Sequence, residues 1–153
     1  MGLLEFFFGK TIKIEHPFFG QLRFSGDKKN PSNSFFTGRR FFKPKQEILE
    51  ISIAAGIEGP TQLQVDFFEK IEHEYGDICR SIIPVIEDEF RNWKPDFKII
   101  DFAKEFEPVW LDIPWCESKP IIWELTFESD HDKNHVFILT MEDFTAKSVL
   151  IDG

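Results

Sequence analysis

Pro120-Ile-Ile-Trp-Glu-Leu-Thr-Phe-Glu-Ser-Asp130 begins a segment that continues through His131-Asp-Lys-Asn-His135 into an apolar run at residues 136–141. Its first part alternates, with Ile121, Trp123, Leu125 and Phe127 on one side and Ile122, Glu124, Thr126 and Glu128 on the other. A period of two predicts a strand with one face on a core and the other facing water. We therefore predict a central β-hairpin whose core residues include Trp123, Leu125 and Phe127.

Further strand-like segments lie on both sides of this hairpin. By alternation and by the turn residues between them, the predicted strands are residues 11–15, 21–25, 35–43, 47–54, 109–114 and 146–151. Residues 3–8 fit either a short helical turn or an edge strand. Residues 27–34 hold turn formers and charge with no apolar residue before position 35, so we predict an exposed loop there.

Two amphipathic helices are predicted between these strands. Four-residue spacing places Leu63, Phe67, Ile71 and Tyr75 on one stripe and Ile78, Ile82, Ile86 and Phe90 on a second. Pro60 suits the start of the first helix, and Gly76-Asp77 is predicted to end it and to cap the next. Pro84 is predicted to kink the second helix or to restart it at that point.

The order of elements places the chain in the α+β class. Residues 99–106 fit a short third helix, and the order as a whole is roughly β-β-β-β-α-α-β-β-β. Layer rules then predict a single domain over residues 1–153, in which a mainly antiparallel sheet carries two helices packed on one face. A chain of 153 residues is long enough to bury most of the apolar surface that its unfolded form exposes.

Charge is distributed unevenly along the chain. The formal net charge is −9, but residues 1–46 hold nine Lys and Arg against three Asp and Glu, whereas residues 47–153 hold nine against 24. So acidic a segment repels nucleic-acid phosphates and anionic lipids. We therefore predict no nucleic-acid and no membrane partner, and we expect a basic protein partner. The alternative is that the acidic surface serves only solubility.

Cysteine usage and the first residues predict a cytoplasmic protein. Cys79 and Cys116 have no CxxC neighbour, so we expect free thiols in a reducing compartment rather than a disulfide. Residues 1–10 are apolar but too short to span a bilayer, and they lack both a basic region and a small-residue cleavage site. Phe6 stands where a myristoylation motif needs Ser or Thr.

One polar loop holds residue types that bind metals. His131 and His135 lie with Asp130 and Asp132, and imidazole and carboxylate ligands suit zinc. The segment lacks the glutamate of an HExxH motif, and a loop whose Asp and Asn side chains satisfy their own backbone is the simpler interpretation. No GxSxG, GxGxxG or GxxxxGK[ST] motif is present. We therefore predict no catalytic residues, no metal, no cofactor and no enzyme activity.

Three short motifs resemble a known group of proteins. They are Trp123-Glu-Leu-Thr-Phe-Glu-Ser-Asp-His-Asp-Lys-Asn-His135 with a closing Asp152-Gly153, the His-Pro-x-Phe-Gly-x-Leu of residues 16–22, and the Glu-Gly-Pro-Thr-x-x-Gln of residues 58–64. Together they resemble small uncharacterised bacterial domains found, in the manner of immunity proteins, near genes for polymorphic or contact-delivered toxins. His131 and Asn134 depart from the aromatic and the acid usual in that loop, so no role of that acid carries over.

The resemblance implies binding without chemistry, because an immunity protein covers a toxin's active site or blocks its substrate. A basic toxin would complement the acidic charge of this chain, and complementary potentials speed association. We therefore expect an acidic cytoplasmic protein that neutralises a basic cognate toxin by direct binding. The residues predicted to contact the partner are Glu69, Glu72, Glu87, Asp88, Glu89, Asp130 and Asp132. The alternatives are a metal-dependent hydrolase using His131, Asp132 and His135, and a non-catalytic structural or regulatory module.

Overall fold

The computed structural model describes residues 12–27 and 29–153, and the element predicted at residues 3–8 lies outside these ranges. The described residues form one mixed sheet of eight strands with two helices, which confirms the α+β class. The strands are β1 (Lys13–His16), β2 (Gly20–Ser25), β3 (Phe35–Phe42), β4 (Glu47–Ala54), β5 (Phe106–Ile113), β6 (Ile122–Ser129), β7 (Val136–Glu142) and β8 (Thr145–Asp152). The helices are α1 (Gln62–Phe90) and α2 (Phe102–Glu105), and a short 3-10 helix covers Pro31–Asn33.

The strands lie in the sheet in the same order as in the sequence. Every neighbouring pair is antiparallel except β4 and β5, which are parallel. A parallel pair needs a crossover connection, and the segment with α1 and α2 supplies it. The predicted order is wrong in two details. Four strands follow the helices where the order has three, and the middle of the sheet is the β4–β5 pair rather than the β6–β7 hairpin.

Cross-strand pairing aligns one core-facing row across the sheet, buried except at Gly38 and Val149, which are half-buried. It runs through Leu22, Gly38, Ile51, Leu111, Leu125, Leu139 and Val149, each paired with the next. Gly38 is required in this row, because a Cβ there would lie 2.7 Å from Leu22 Cδ2 and 2.9 Å from the Gln21 carbonyl oxygen. Trp123, Leu125 and Phe127 are buried, as predicted. Because side chains alternate along a strand, the residues between the buried ones point to the opposite side, which we call the outer sheet face.

Helix α1 is continuous over 29 residues, so the predicted break at Gly76-Asp77 is wrong. A glycine in a helix interior costs about 1 kcal/mol and a proline about 3 kcal/mol. Burial of an Ile contributes about 1.5–3 kcal/mol, and Ile71, Ile78, Ile82 and Ile86 are all buried along one stripe. The uninterrupted stripe therefore outweighs the local preference of Gly76 and Pro84 to stop the helix.

The first turn of α1 also differs from the predicted stripe. Leu63 is 53% exposed, and Gln64 and Val65 are the buried residues of that turn instead. Further along, ring contacts place α1 against the buried side of the sheet, with centroid distances of 5.6 Å for Phe67–Trp123, 6.2 Å for Phe68–Phe42 and 6.0 Å for Phe90–Phe137. The helix thus contacts strands β3, β6 and β7 on the side away from the outer sheet face.

The short helix predicted at residues 99–106 is present only in part, as α2. Phe106 already belongs to β5, where its ring is buried and stacks on that of Phe102 at 5.1 Å. Strand β5 starts three residues earlier than predicted and contains a bulge between Pro108 and Trp110. Neither helix in the described ranges is long and apolar enough to cross a membrane.

Candidate functional site

His131 contacts a carboxylate from another part of the chain and lies among aromatic rings. Its Nε2 is 2.6 Å from Oε1 of Glu105, and a carboxylate only accepts, so Nε2 carries the proton and donates it. The ring lies 5.0 Å from that of Phe97, 5.8 Å from that of Phe106 and 6.3 Å from that of Phe90. His131 therefore joins the β6–β7 loop to α2 and to the end of α1.

Glu105 is the centre of this small network. Burial raises the pKa of its carboxyl, but hydrogen bonds from the N–H of Asp101, the ring of His131 and the N–H of Ile100 outweigh that effect and hold the pKa below its usual value. Its backbone carbonyl also accepts the Ser129 hydroxyl at 2.7 Å. The carboxylate is thus fully engaged in fixing the start of α2.

His135 has a different acidic partner. Its Nδ1 lies 2.8 Å from Oδ2 of Asp132, and this hydrogen bond lowers the pKa of the Asp132 carboxyl. The other carboxylate oxygen of Asp132 accepts the N–H of Asn134 at 3.2 Å, which closes a local turn. His131 and His135 therefore each contact a separate carboxylate. Within the described ranges no group of three or more His, Cys, Asp or Glu side chains is arranged to hold a metal ion.

A groove of about 680 Å³ lies beside this loop. Its charged lining residues are Lys104, Glu105, Glu107, Glu128, Asp130, Asp132, Lys133 and Asp152. Lys133 lies 3.7 Å from Asp130, and Lys45 reaches Glu107 at 3.1 Å from the β3–β4 turn. The groove is therefore an acidic surface whose charge is only partly neutralised by lysines.

Both thiols have raised pKa values. Burial raises the pKa of Cys79 to about 11 and that of Cys116 to about 11. The Cys79 thiol lies beside Tyr75, and burial also raises the pKa of the Tyr75 hydroxyl. The Cys116 thiol donates to the carbonyl of Pro114 at 3.3 Å. Since the thiolate is the reactive form, both cysteines are poor nucleophiles near neutral pH.

The acids predicted to bind a partner fall in three places. Glu69 and Glu72 lie in the first half of α1, Glu87, Asp88 and Glu89 near its end, and Asp130 and Asp132 in the β6–β7 loop. Glu72 accepts the N–H of Lys43 at 2.7 Å, and so holds the β3–β4 turn to the helix. Glu87 accepts the N–H of Ile99 at 2.9 Å. These two carboxylates therefore have structural partners inside the molecule.

Three more of the predicted acids also have internal partners. Arg91 lies 3.2 Å from Asp88, while Asp130 and Asp132 pair with Lys133 and His135 as described above. By contrast, the carboxylates of Glu69 and Glu89 have neither an ion pair nor a hydrogen bond in the part of the chain that the structure describes. Most of the predicted acids are thus already engaged.

The outer sheet face carries a second acidic region, on β5 to β8. Pairing aligns Trp110, Thr126, Ile138 and Leu150 in a row that we call the outer strip. On one side of it lie Asp112 and Glu124, and on the other Glu107, Glu128 and Asp152, which we call the flanking acids. Among the described residues, the carboxylates of Glu124, Glu128 and Asp152 have no ion-pair or hydrogen-bond partner.

Sequence reasoning placed Glu124 and Glu128 on a water-facing side but missed the surface that they form. The alternation along β6 contains that information for one strand only. Assembly of the strip requires the registers of β5, β7 and β8 against β6, and these depend on bulges at Pro108/Trp110 and Thr140/Met141. The residue pattern of one strand alone does not predict these registers.

Two of the motifs that carry the resemblance contact each other. Nδ1 of His16 accepts the N–H groups of Phe18 and Phe19, and its Nε2 lies 3.2 Å from the carbonyl oxygen of Pro60. Gln64, at the end of the second motif, forms a capping box with Thr61. Both motifs therefore have a structural role, in shaping the β1–β2 turn and the start of α1.

Comparison with protein-family models, with curated proteins and with solved structures gives no significant match for this chain.

Proposed function

We propose that this chain is an acidic cytoplasmic binding protein that neutralises a basic cognate toxin by direct contact, as an immunity protein does. The observation that carries the proposal is the separation of charge in space. Because the strand order follows the sequence, the described part of the basic N-terminal segment carries β1 to β3, and the acidic remainder carries β4 to β8 and the helices. An acidic surface of this extent favours encounter with a basic protein.

The state of the polar side chains favours binding over catalysis. Both ring nitrogens of His16 hydrogen-bond to backbone groups, and His131 and His135 each hydrogen-bond to a separate carboxylate. The pKa values of the two thiols are raised by burial. These groups contribute to the fold, whereas exposed carboxylates on α1 and on the outer sheet face remain available to a partner.

The test uses the protein encoded by the reading frame beside this gene. We expect that its product alone arrests growth and that co-expression with this chain restores growth. Calorimetry on the purified pair is expected to show a complex whose affinity falls as salt rises, because exposed charge pairs are screened. A neighbouring product that neither affects growth nor binds this chain at low salt would contradict the proposal.

A further inference from the structure

The outer strip presents apolar side chains beside three acids that have no partner among the described residues. Leu150 is 61% exposed, and Trp110 and Ile138 are half-buried although they lie on the side of the sheet away from α1. Rows two residues apart along a strand are about 7 Å apart, so acids lie on both sides of the strip within reach of one docked element. An apolar centre with a polar rim is the usual composition of a protein interface.

Three acids without an internal partner lie beside the strip, in contrast to most of the acids predicted from sequence. Five of the seven acids predicted from sequence already have internal partners, while Glu124, Glu128 and Asp152 have none within the described ranges. A carboxylate without an internal partner gains a new ion pair on binding without first losing an old one. The strands also hold these side chains on a rigid support, which lowers the entropy cost of binding.

The strip runs across the strands, and its dimensions indicate what fits it. Four strands at a spacing of about 4.8 Å make it about 14 Å long, which is the length of about ten residues of α-helix. Apolar side chains three or four residues apart on a helix are about 5–6 Å apart, close to the spacing between strands. A helix laid along the strip would therefore place one apolar side chain near each strand.

We propose that the outer strip is the docking surface for the basic partner, and that the partner presents an amphipathic helix whose apolar stripe is flanked by Lys and Arg. The stripe packs on Trp110, Ile138 and Leu150. The cations pair with Glu124 on one side of the strip and with Glu128 and Asp152 on the other. This inference rests on the proposed function, since the basic partner is taken from it.

The experiment titrates a synthetic Leu/Lys peptide with a helical apolar stripe into the isotope-labelled chain. Two double variants carry the same charge change: Glu124→Gln with Glu128→Gln beside the strip, and Glu69→Gln with Glu89→Gln on α1. All four carboxylates lack internal partners among the described residues, so unchanged melting temperatures are expected. The variant beside the strip is expected to bind about tenfold more weakly and the α1 variant less than twofold.

Amide resonances of β6 to β8 are expected to shift on titration, together with the indole resonance of Trp110. A scrambled peptide of the same composition is expected to bind more weakly, because it has no apolar stripe. Equal weakening by both double variants would overturn the proposal, as would shifts centred on α1.

The other candidate occupant of the strip is a second copy of this chain, whose basic surface on β1 to β3 would pair with the acids. Dimers in sedimentation that Leu150→Ser dissociates would therefore also overturn it.

The same variants separate this proposal from the proposed function. If the neighbouring gene product binds the native chain and only the α1 variant weakens that binding, neutralisation stands and the docking surface is wrong. If the peptide maps to the strip but the neighbouring product does not bind, the surface stands and the cognate partner is wrong.

Discussion

Gln64 is the polar side chain on which the parallel centre of the sheet most depends. It is fully buried, and its Nε2 donates to the carbonyl of Ala54 at 2.6 Å and to that of Pro114 at 2.8 Å. Its Oε1 accepts the N–H of Thr61 at 2.9 Å. Ala54 ends β4 and Pro114 follows β5, so one amide joins the start of α1 to the ends of both parallel strands.

Gln64→Leu is expected to destabilise the fold by about 3 kcal/mol. Leucine is of similar size, so the change removes three hydrogen bonds without opening a large cavity, and each contributes about 1 kcal/mol net. The two carbonyls and the Thr61 N–H also lose that partner. Gln64→Glu keeps an acceptor for Thr61 but places a carboxylate against two carbonyl oxygens, so we expect at least the same loss at neutral pH.

Urea unfolding followed by far-UV circular dichroism measures the effect as a lower midpoint at unchanged slope. The matched control is Gln62→Leu, because Gln62 lies two positions earlier, is exposed, and among the described residues its side chain hydrogen-bonds Asp66 alone. We expect the control to lie within about 0.5 kcal/mol of the native chain. A Gln64→Leu protein as stable as the control would refute the role assigned to this amide.

Three further predictions concern the helix, the loop network and the thiols. Gly76→Ala is expected to raise stability by about 0.5–1 kcal/mol, because Gly76 lies inside a continuous helix and a Cβ there would make only ordinary van der Waals contact with the Arg80 guanidinium, at 3.7 Å. Gly38→Ala is expected to lower stability through the contact with the Gln21 carbonyl, and thermal melts that show a loss for Gly76→Ala would contradict this account of the helix. Against the effect of burial, hydrogen bonds lower the pKa of the Glu105 carboxyl in the folded chain, so the stabilisation by this carboxylate is present above its ordinary pKa of 4.5 and is lost as the pH falls through the folded pKa. Glu105→Gln is therefore expected to cost about 1–2 kcal/mol at neutral pH and less in acid. A cost that grows in acid would contradict the network. The folded-state pKa values of Cys79 and Cys116 are about 11 against ordinary values of 9.0, so both thiols are expected to react slowly with a thiol reagent at pH 8. Because the raised pKa values favour the neutral thiols in the folded chain, stability is expected to fall from pH 9 to 11. Labelling of the folded chain as rapid as that of the chain in urea would contradict the burial of these thiols.

Alternation was enough to predict the strands and the buried side of β6. Trp123, Leu125 and Phe127 are buried because a strand with one polar face has only one way to face a core. The class of the fold follows from the same patterns. Local rules failed where a tertiary effect was larger, as at Gly76, where the penalty for glycine is smaller than the gain from one continuous apolar stripe.

Long-range pairing was beyond the reach of the sequence. The contact between Glu105 and His131 joins residues 26 positions apart, and the parallel pairing of β4 with β5 spans the whole helical segment. Neither contact produces a periodic residue pattern from which it could be predicted. A helical face and a polar loop both indicate exposure from sequence alone, and the predicted acids accordingly lie on α1 and in the β6–β7 loop. Whether an acid already has a partner, as Glu87 does with Ile99, depends on the fold.

Methyl-resolved NMR of the complex with the neighbouring gene product checks the docking of a basic partner on the outer strip. The methyl groups of Ile138 and Leu150 report on the strip, and those of Leu63 report on an exposed position of α1. We expect large shift changes for Ile138 and Leu150 and none for Leu63, and we expect the shifts to diminish as salt weakens the complex. Changes at Leu63 with unaltered Ile138 and Leu150 signals would contradict it.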